Sequence, residues 1–437
     1  METQDSRTDC GGQLPEAVTS AAGLPVEQPL TGPRLTETDI VGLKYFDQLL
    51  PLFERLHDDG CERDKAGNRE LHYDHYCLMV LVFLFNPICS SLRALQQASE
   101  LKNVQKKLGC GRASLGSLSE AATIFDPERL VEIIQELNGQ LAPASSGRDK
   151  RLASLPGTLT LVDATIISAM PRIMSASVMK RRGENGTVKW RLHTHFEVDR
   201  HIPSRIDVTR DGGGDNDERA VLNKTIESDR LYVKDRGYAK FTLFNDIVAK
   251  NSSYVCRIRD NAVCKILEDK PVTDADRAAN VLSDQIVEFG QSSKVADRPD
   301  HTMRLVVVKI RPHLSGGKSN GVDSDGFLRL ATNLLDVPAE IIALLYAYRW
   351  TIEIFFRQFK HLLGCRHLLS HNQNGIKIQT YCAIIACLVL ALWTGRKPTK
   401  RTHEMVCYHM MGWASIDEVE AHLAKLKLAD EAAAKKR

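Results

Sequence analysis

TLTLVDATII, residues 158–167, is the stretch on which the fold turns. Its density of β-branched residues marks a strand, and the period of two along a strand puts Asp163 on the same face as Leu159 and Leu161. A carboxylate among leucines has to be paired, protonated or bound to a cation. Working outward, residues 190–198 (WRLHTHFEV) and 205–209 read as two more strands. Gly212, Gly213 and Gly214 break the chain, and a short helix over 216–226 follows. A strand over 230–235 then runs into a turn at Arg236 and Gly237, followed by a helix over 239–250 and a strand over 254–258. The order β-β-β-α-β-α-β predicts an α/β fold with a mixed sheet. Asp235 closes the fourth of these strands, and functional groups gather at the carboxyl ends of strands in open α/β sheets.

The flanks have a different texture. Residues 1–35 are rich in Pro, Gly, Ser and Thr and read as a flexible tail. From residue 36 the pattern turns helical: in VGLKYFDQLLPLFERL (41–56), Leu43, Phe46, Leu49, Leu50 and Phe53 recur at spacings of three and four. Further helices are expected over 72–85, 91–98 and 126–141, so that 36–142 reads as an all-helical N-terminal domain. Residues 142–156 (APASSGRDKRLASLP) read as a linker. Beyond Arg259, residues 261–325 alternate short strands with polar turns and read as a β-rich insertion. A strand over 327–332, a long helix over 338–363, an apolar helix over 375–394 and a basic, helical tail over 396–437 complete the chain.

The long helix carries YAYRWTIEIFFRQFK, residues 346–360. At about 100° per residue from Tyr346, Arg349 falls near 300°, Glu353 near 340° and Lys360 near 320°. Four polar side chains therefore share a narrow stripe on a helix that is otherwise largely apolar. A surface helix has the opposite proportion, so this stripe predicts a buried helix lining a charged cleft. Asp163, Asp235 and Glu353 together would form a hard-oxygen site suited to Mg²⁺ or Mn²⁺. Two such ions would serve phosphodiester chemistry, with Arg349, Lys360 and Tyr346 facing the phosphate. Taken singly, Asp163 reads as a structural acid, and Arg349 with Glu353 as an ordinary ion pair. The conjunction is what points to a site.

Composition sets the frame. The 437 residues are 43% hydrophobic and 26% charged, with Lys plus Arg 58 against Asp plus Glu 55, which excludes wholesale disorder and leaves nucleic-acid binding to local basic surface. The opening METQDSRTDC is polar and acidic and reads as no secretory leader. The apolar run at 381–393 is about 13 residues, short of the roughly 20 that span a bilayer, so no membrane segment is expected. Eleven cysteines without a CxxC pair fit a reducing compartment, with Cys382 and Cys387 as small core residues. His193 and His195 form an HxH pair without a third ligand and read as lining the sheet or touching DNA rather than holding zinc. His72 and His75, in LHYDHY, read as surface or capping residues at a helix start. Basic clusters at 180–182, Lys189 with Arg191, Arg257 with Arg259, and 396–401 read either as solvated faces or as DNA contacts, and Lys102, Lys106 and Lys107 hint at contacts in the helical domain.

Tyr346, Arg349, Glu353 and Lys360 match the Y-x2-R-x3-E-x6-K signature of DDE transposases from the fourth family of bacterial insertion sequences. Asp163 in LVDATII and Asp235 in VKDRGY resemble the first and second acids of that triad, and KWRLHTHFEV resembles the strand that follows the first. The likeness runs over about 155–395. It implies a ribonuclease-H-like catalytic domain with a β-rich insertion between the second Asp and the Glu, which are about 118 residues apart. It further implies that Asp163, Asp235 and Glu353 are catalytic and hold Mg²⁺, with Mn²⁺ able to substitute, while Tyr346, Arg349 and Lys360 contact DNA. The implied reaction is strand cleavage at transposon ends, then attack of the freed 3′-OH on target DNA. The implied partners are double-stranded DNA, in the form of terminal inverted repeats and target, and a second copy of the chain in a homodimeric synaptic complex; the implied location is the bacterial cytoplasm, on nucleoid DNA. Trp190, Trp350, Trp393 and Trp413 all lie outside the insertion, leaving Phe289 or Phe327 to stack a flipped base. Two alternatives stay open: a catalytically inactive DNA-binding regulator, and a two-metal nuclease without strand joining.

Overall fold

A computed structural model of the chain describes residues 50–60, 68–141, 150–152, 154–169, 188–290, 297–310, 326–362, 368–396 and 399–435. The tail at 1–35, the basic triplet at 180–182 and most of the 142–156 linker lie outside the described residues. The N-terminal part is helical: α1 (Leu50–Glu54), α2 (Tyr73–Phe85), α3 (Leu92–Ser99), α4 (Lys102–Leu108), α5 (Leu115–Ile124) and α6 (Arg129–Gln140). Ser91 and Ser114 start α3 and α5 by accepting N–H bonds from Ala94 and Ser117, which satisfies donors that a helix start leaves orphaned.

The next elements are β1 (Thr158–Ala169), β2 (Val188–Glu197), β3 (Ile202–Arg210), α7 (Glu218–Lys224), β4 (Arg230–Lys234), α8 (Phe241–Ala249) and β5 (Ser253–Arg257), in the order read from the sequence. β6 (Cys264–Asp269), α9 (Asp274–Ala278), β7 (Val281–Phe289), β8 (Met303–Lys309) and β9 (Phe327–Thr332) follow. All nine strands join one mixed sheet in the order β3-β2-β1-β4-β5-β9-β8-β7-β6. β1 runs antiparallel to β2 and parallel to β4, and β4 parallel to β5. β9 pairs antiparallel with both β5 and β8, so the strands from 261–325 extend the same sheet.

Alternation along the strands divides the core. Leu159, Leu161, Leu231, Val233 and Val255 face one layer, built from the N-terminal helices with α10 (Ala339–Ala347), α11 (Trp350–Leu362) and α12 (Gln373–Thr394). Val162, Tyr232, Tyr254 and Cys256 face the other, where Leu222, Leu243, Phe244 and Ile247 of α7 and α8 cover them. α13 (Lys400–Met410) and α14 (Ile416–Lys435) close the chain.

Three expectations change. The helix expected over 338–363 is two helices, α10 and α11, joined at Tyr348 and Arg349 by tightened bonds, Thr351 N–H to Tyr348 O at 2.8 Å and Ile352 N–H to Arg349 O at 3.2 Å. No Gly or Pro stands there to announce it. Trp350 and Ile354, read as part of a buried surround, are 56% and 51% exposed, while Ile352, Phe355, Phe356 and Phe359 pack inward. The apolar run at 381–393 belongs to the 22-residue α12, long and apolar enough to cross a membrane; its 89% burial against α2, α5, α6 and β3 makes it a core helix.

Candidate active site

The β1–β4 pairing sets Val162 beside Lys234, so the next step along both parallel strands brings Asp163 beside Asp235. Lys234 in turn pairs with Cys256 of β5, and the same step places Arg257 beside Asp235. Asp163, midway along β1, thus forms a row with Asp235 and Arg257 at the carboxyl ends of β4 and β5, on the face that α11 covers at β1.

Asp235 is held at the strand's exit by its own turn: its Oδ1 accepts the Gly237 N–H at 2.5 Å. A Cβ on Gly237 would stand 3.2 Å from that oxygen and 3.5 Å from Glu218 Oε2, so a side chain there would crowd two carboxylates. Asp163 Oδ1 accepts the Ala164 N–H at 2.8 Å. Burial nonetheless pushes the Asp163 carboxyl up to about 7, and the charges of Asp235 and Glu218 add to the effect, while the Ala164 N–H and Arg349 oppose it. Glu218 is also raised, by burial first and then by Asp235 and Asp217, against the Arg191 guanidinium, whose Nη1 lies 3.0 Å from its Oε1.

From the helical side, Arg349 binds Glu353 at 2.7 Å across one helical turn and lies close enough to Asp163 for the two charges to act on each other. Its guanidinium packs over the rings of Tyr346 and Trp350, at 5.8 and 5.2 Å. Burial pushes the Tyr346 hydroxyl up to about 12, with Asp235 and Arg257 among the charges near it. Of the six residues singled out in the sequence, Asp163, Asp235, Tyr346 and Arg349 lie in one electrostatic neighbourhood, and Glu353 is tied to it through Arg349. Lys360 stands two turns further along α11 and makes no ion pair with a described residue.

Sequence reasoning missed Glu218, a fourth carboxylate facing both aspartates from α7. The signal was the glycine run 212–214 followed by DNDE, a backbone free to turn a cluster of acids inward. Arg257 and Arg191 entered only as basic clusters, yet Arg257 ends the row of strands and Arg191 is committed to Asp211 and Glu218, at 2.7 and 3.0 Å. Arg396, counted among basic residues of the tail, is buried against Asp430 at 2.7 Å. His193 and His195 line the sheet: they bond Thr209 and Thr225 at 2.9 and 3.2 Å, and burial lowers both to about 4. Phe289 is core, packed on Phe241 at 5.7 Å, and is closed to stacking with a base.

The side chains of Asp163, Asp235, Glu218 and Glu353 bring carboxylate oxygens here, which are hard ligands. A carboxyl raised by burial and by neighbouring negative charge is the pattern a divalent cation relieves.

Residues 154–390, more than half of the chain, match the family described as the transposase DDE domain. The chain is 26% identical over 210 residues to the transposase y4zB of Sinorhizobium fredii (strain NBRC 101917 / NGR234), covering 48% of this chain and 54% of that one. It is 25% identical over 273 residues to the transposase of insertion sequence element IS5377 from Geobacillus stearothermophilus, covering 62% and 66%. It is also 25% identical over 323 residues to that of element IS4SA from Synechocystis sp. (strain ATCC 27184 / PCC 6803 / Kazusa), covering 71% and 81%. The chain thus spans about half to two thirds of the length of the first two of these relatives.

Proposed function

The chain belongs to the DDE transposase domain family, and from that premise we propose that it cleaves DNA at the ends of an insertion sequence and joins the freed 3′-OH to target DNA. The observation that carries this reading is Asp163, midway along β1, set beside Asp235 at the end of the adjacent parallel β4, with the Arg349–Glu353 pair facing them. The antiparallel β3-β2-β1 hairpins followed by parallel β4 and β5 support a ribonuclease-H-like catalytic domain over 155–395, with the 261–325 stretch as its insertion.

Asp163, Asp235 and Glu353 would hold Mg²⁺, or Mn²⁺ in its place. When bound, the ions supply activation of an attacking oxygen and stabilisation of the leaving one. Arg349 and Arg257 present guanidinium donors to the anionic phosphodiester, and the Tyr346 hydroxyl, kept protonated well above neutral pH, donates a hydrogen bond to it. Lys360, two turns along, meets the backbone further from the cut. Trp350, exposed beside Arg349, offers a face for an unstacked base. The helical region 36–142 would recognise terminal repeats, and the 396–437 tail would add DNA contacts. Two copies of the chain would pair two ends, acting in the cytoplasm on nucleoid DNA.

The test is a cleavage and joining assay on duplexes carrying the inverted repeats that flank this reading frame. Asp163→Asn, Asp235→Asn and Glu353→Gln should each abolish Mg²⁺-dependent cleavage while leaving gel-shift binding intact. Near-normal cleavage by any one of them sinks the triad, and cleavage without joining by the unaltered chain identifies a nuclease.

A further inference from the structure

A second polar cluster lies in the helical N-terminal part, between the turn after α1 and the start of α2. His57 sits in that turn, and His72, Asp74 and His75 open the helix. Asp74 Oδ2 accepts a bond from His57 Nδ1 at 2.9 Å, while His75 Nε2 stands 3.7 Å from the same oxygen, too far for a hydrogen bond. His72 does not cap the helix with its side chain; its Nδ1 bonds the His57 carbonyl at 3.0 Å, and its ring stacks on that of His57 at 3.8 Å, 9° from parallel. Ring orientation at His57 is therefore fixed twice over.

The expected helix-capping role accounts for none of this, and an aspartate–histidine clamp accounts for only part of it. His75 Nδ1 and Asp74 Oδ1 are both buried, and neither has a hydrogen-bond partner among the described residues. With Nε2 also beyond bonding range of Asp74, the half-buried His75 ring stands beside a buried carboxylate without a hydrogen bond between them. One donor atom each from His57, Asp74 and His75 lie within 4.8 Å of one another. Tetrahedral zinc with bonds of about 2.0–2.1 Å sets its ligands roughly 3.4 Å apart. The 2.9 and 3.7 Å separations straddle that figure.

We propose that His57, Asp74 and His75 bind a divalent transition metal of the Zn²⁺ class, with His72 orienting His57 and the fourth position left to water. Two imidazoles and one carboxylate select Zn²⁺ over the hard ions suited to the acid cluster. The ion would staple the turn after α1 to α2, a helix whose residues are almost wholly buried. The proposal stands apart from the reading of the acid cluster, and its failure leaves that reading intact.

The experiment uses the full chain carrying Asp163→Asn and Asp235→Asn, so that metal held by the acid cluster does not confuse the count. After stripping with chelator, reloading with Zn²⁺ and desalting, elemental analysis should find one equivalent per chain. Reloading with Co²⁺ should give the intense visible absorption of a four-coordinate site. Adding His57→Gln, at a half-exposed position where folding is not at risk, or His75→Gln should remove both signals and the Zn²⁺-dependent rise in Tm. Retention of the equivalent in both variants, or absence of any bound Zn²⁺ in the starting chain, overturns the proposal.

Discussion

Asp163→Asn should separate the proposed catalytic role of this residue from its cost to stability. The carboxyl has an ordinary value of 3.8 and is raised to about 7 in the folded, metal-free chain. Between those limits the folded state keeps a proton that the unfolded chain has released, so folding stability falls as pH rises through the window. About three pH units at about 1.4 kcal/mol each place the cost near 4 kcal/mol once pH exceeds 7. Asn keeps the shape and the acceptor for the Ala164 N–H but has no charge to desolvate. In chelator, the variant should therefore be more stable than the unaltered chain by up to about 4 kcal/mol at pH 8, with the gap closing towards pH 4.

Urea denaturation at a series of pH values from 4 to about 8 measures this directly. Mg²⁺ should narrow the gap, because a cation stabilises the buried carboxylate in the unaltered chain and has less to bind in the variant. Cleavage should be lost in parallel. A variant that is equally stable or less stable at every pH would refute the claim that charge burial at Asp163 strains the metal-free fold.

Other outcomes follow from neighbouring groups. Lys234 is fully buried over the rings of Phe244 and Tyr254, its Nζ without a hydrogen bond among the described residues, and burial lowers it from 10.5 to about 8. The unfolded chain binds more protons between about 8 and 10.5, so stability should rise with pH there, and Lys234→Met should stabilise by about 1–3 kcal/mol at pH 7 in chemical denaturation. Arg257→Met should lower cleavage by roughly tenfold or more, with Arg257→Lys recovering part of it and gel-shift binding little changed, since one guanidinium–phosphate bond is worth about 1.5–3 kcal/mol. Arg304, paired with Asp284 at 2.6 Å and bonded to the Leu334 carbonyl at 2.9 Å, is buried on β8, which β9 separates from β5. Arg304→Met should cost about 3–5 kcal/mol in thermal or urea unfolding, while cleavage per folded molecule stays unchanged.

What the sequence revealed and what it hid divide along physical lines. Asp163 was legible because a single acid in a β-branched run contradicts its surroundings, and Asp235 because a strand stops there. The element order from β1 to β5 was legible because each element carries its own periodicity. The pairing of β1 with β4, which makes two distant acids neighbours, is a non-local choice that no single segment states. β6 escaped for a different reason: Ile266 and Leu267 are both about half exposed, so no alternation marked the strand. Glu218 was hidden because α7 delivers it by packing, and His57 because 15 residues separate it from His72, the ring it stacks on. Tyr346, Arg349 and Glu353 were read on one continuous helix; the break at Tyr348 changes the helix but keeps Arg349 over Tyr346 and bonded to Glu353.

The same geometry explains why Arg349 is the pivot of the site. Its side chain is only 12% exposed, and its Nε is buried without a hydrogen-bond partner among the described residues. A buried guanidinium needs anions, and here it has two within reach, Glu353 by direct contact and Asp163 through the field. It is therefore the counter-charge for Asp163, which Asp235 and Glu218 oppose with charges of their own. Divalent charge among those acids would relieve that task and leave the Arg349 Nε, buried without a hydrogen-bond partner among the described residues, as a donor for a further anion. A phosphodiester is the anion the proposed reaction supplies, so loading the acids and gripping DNA become linked through one side chain, each favouring the other.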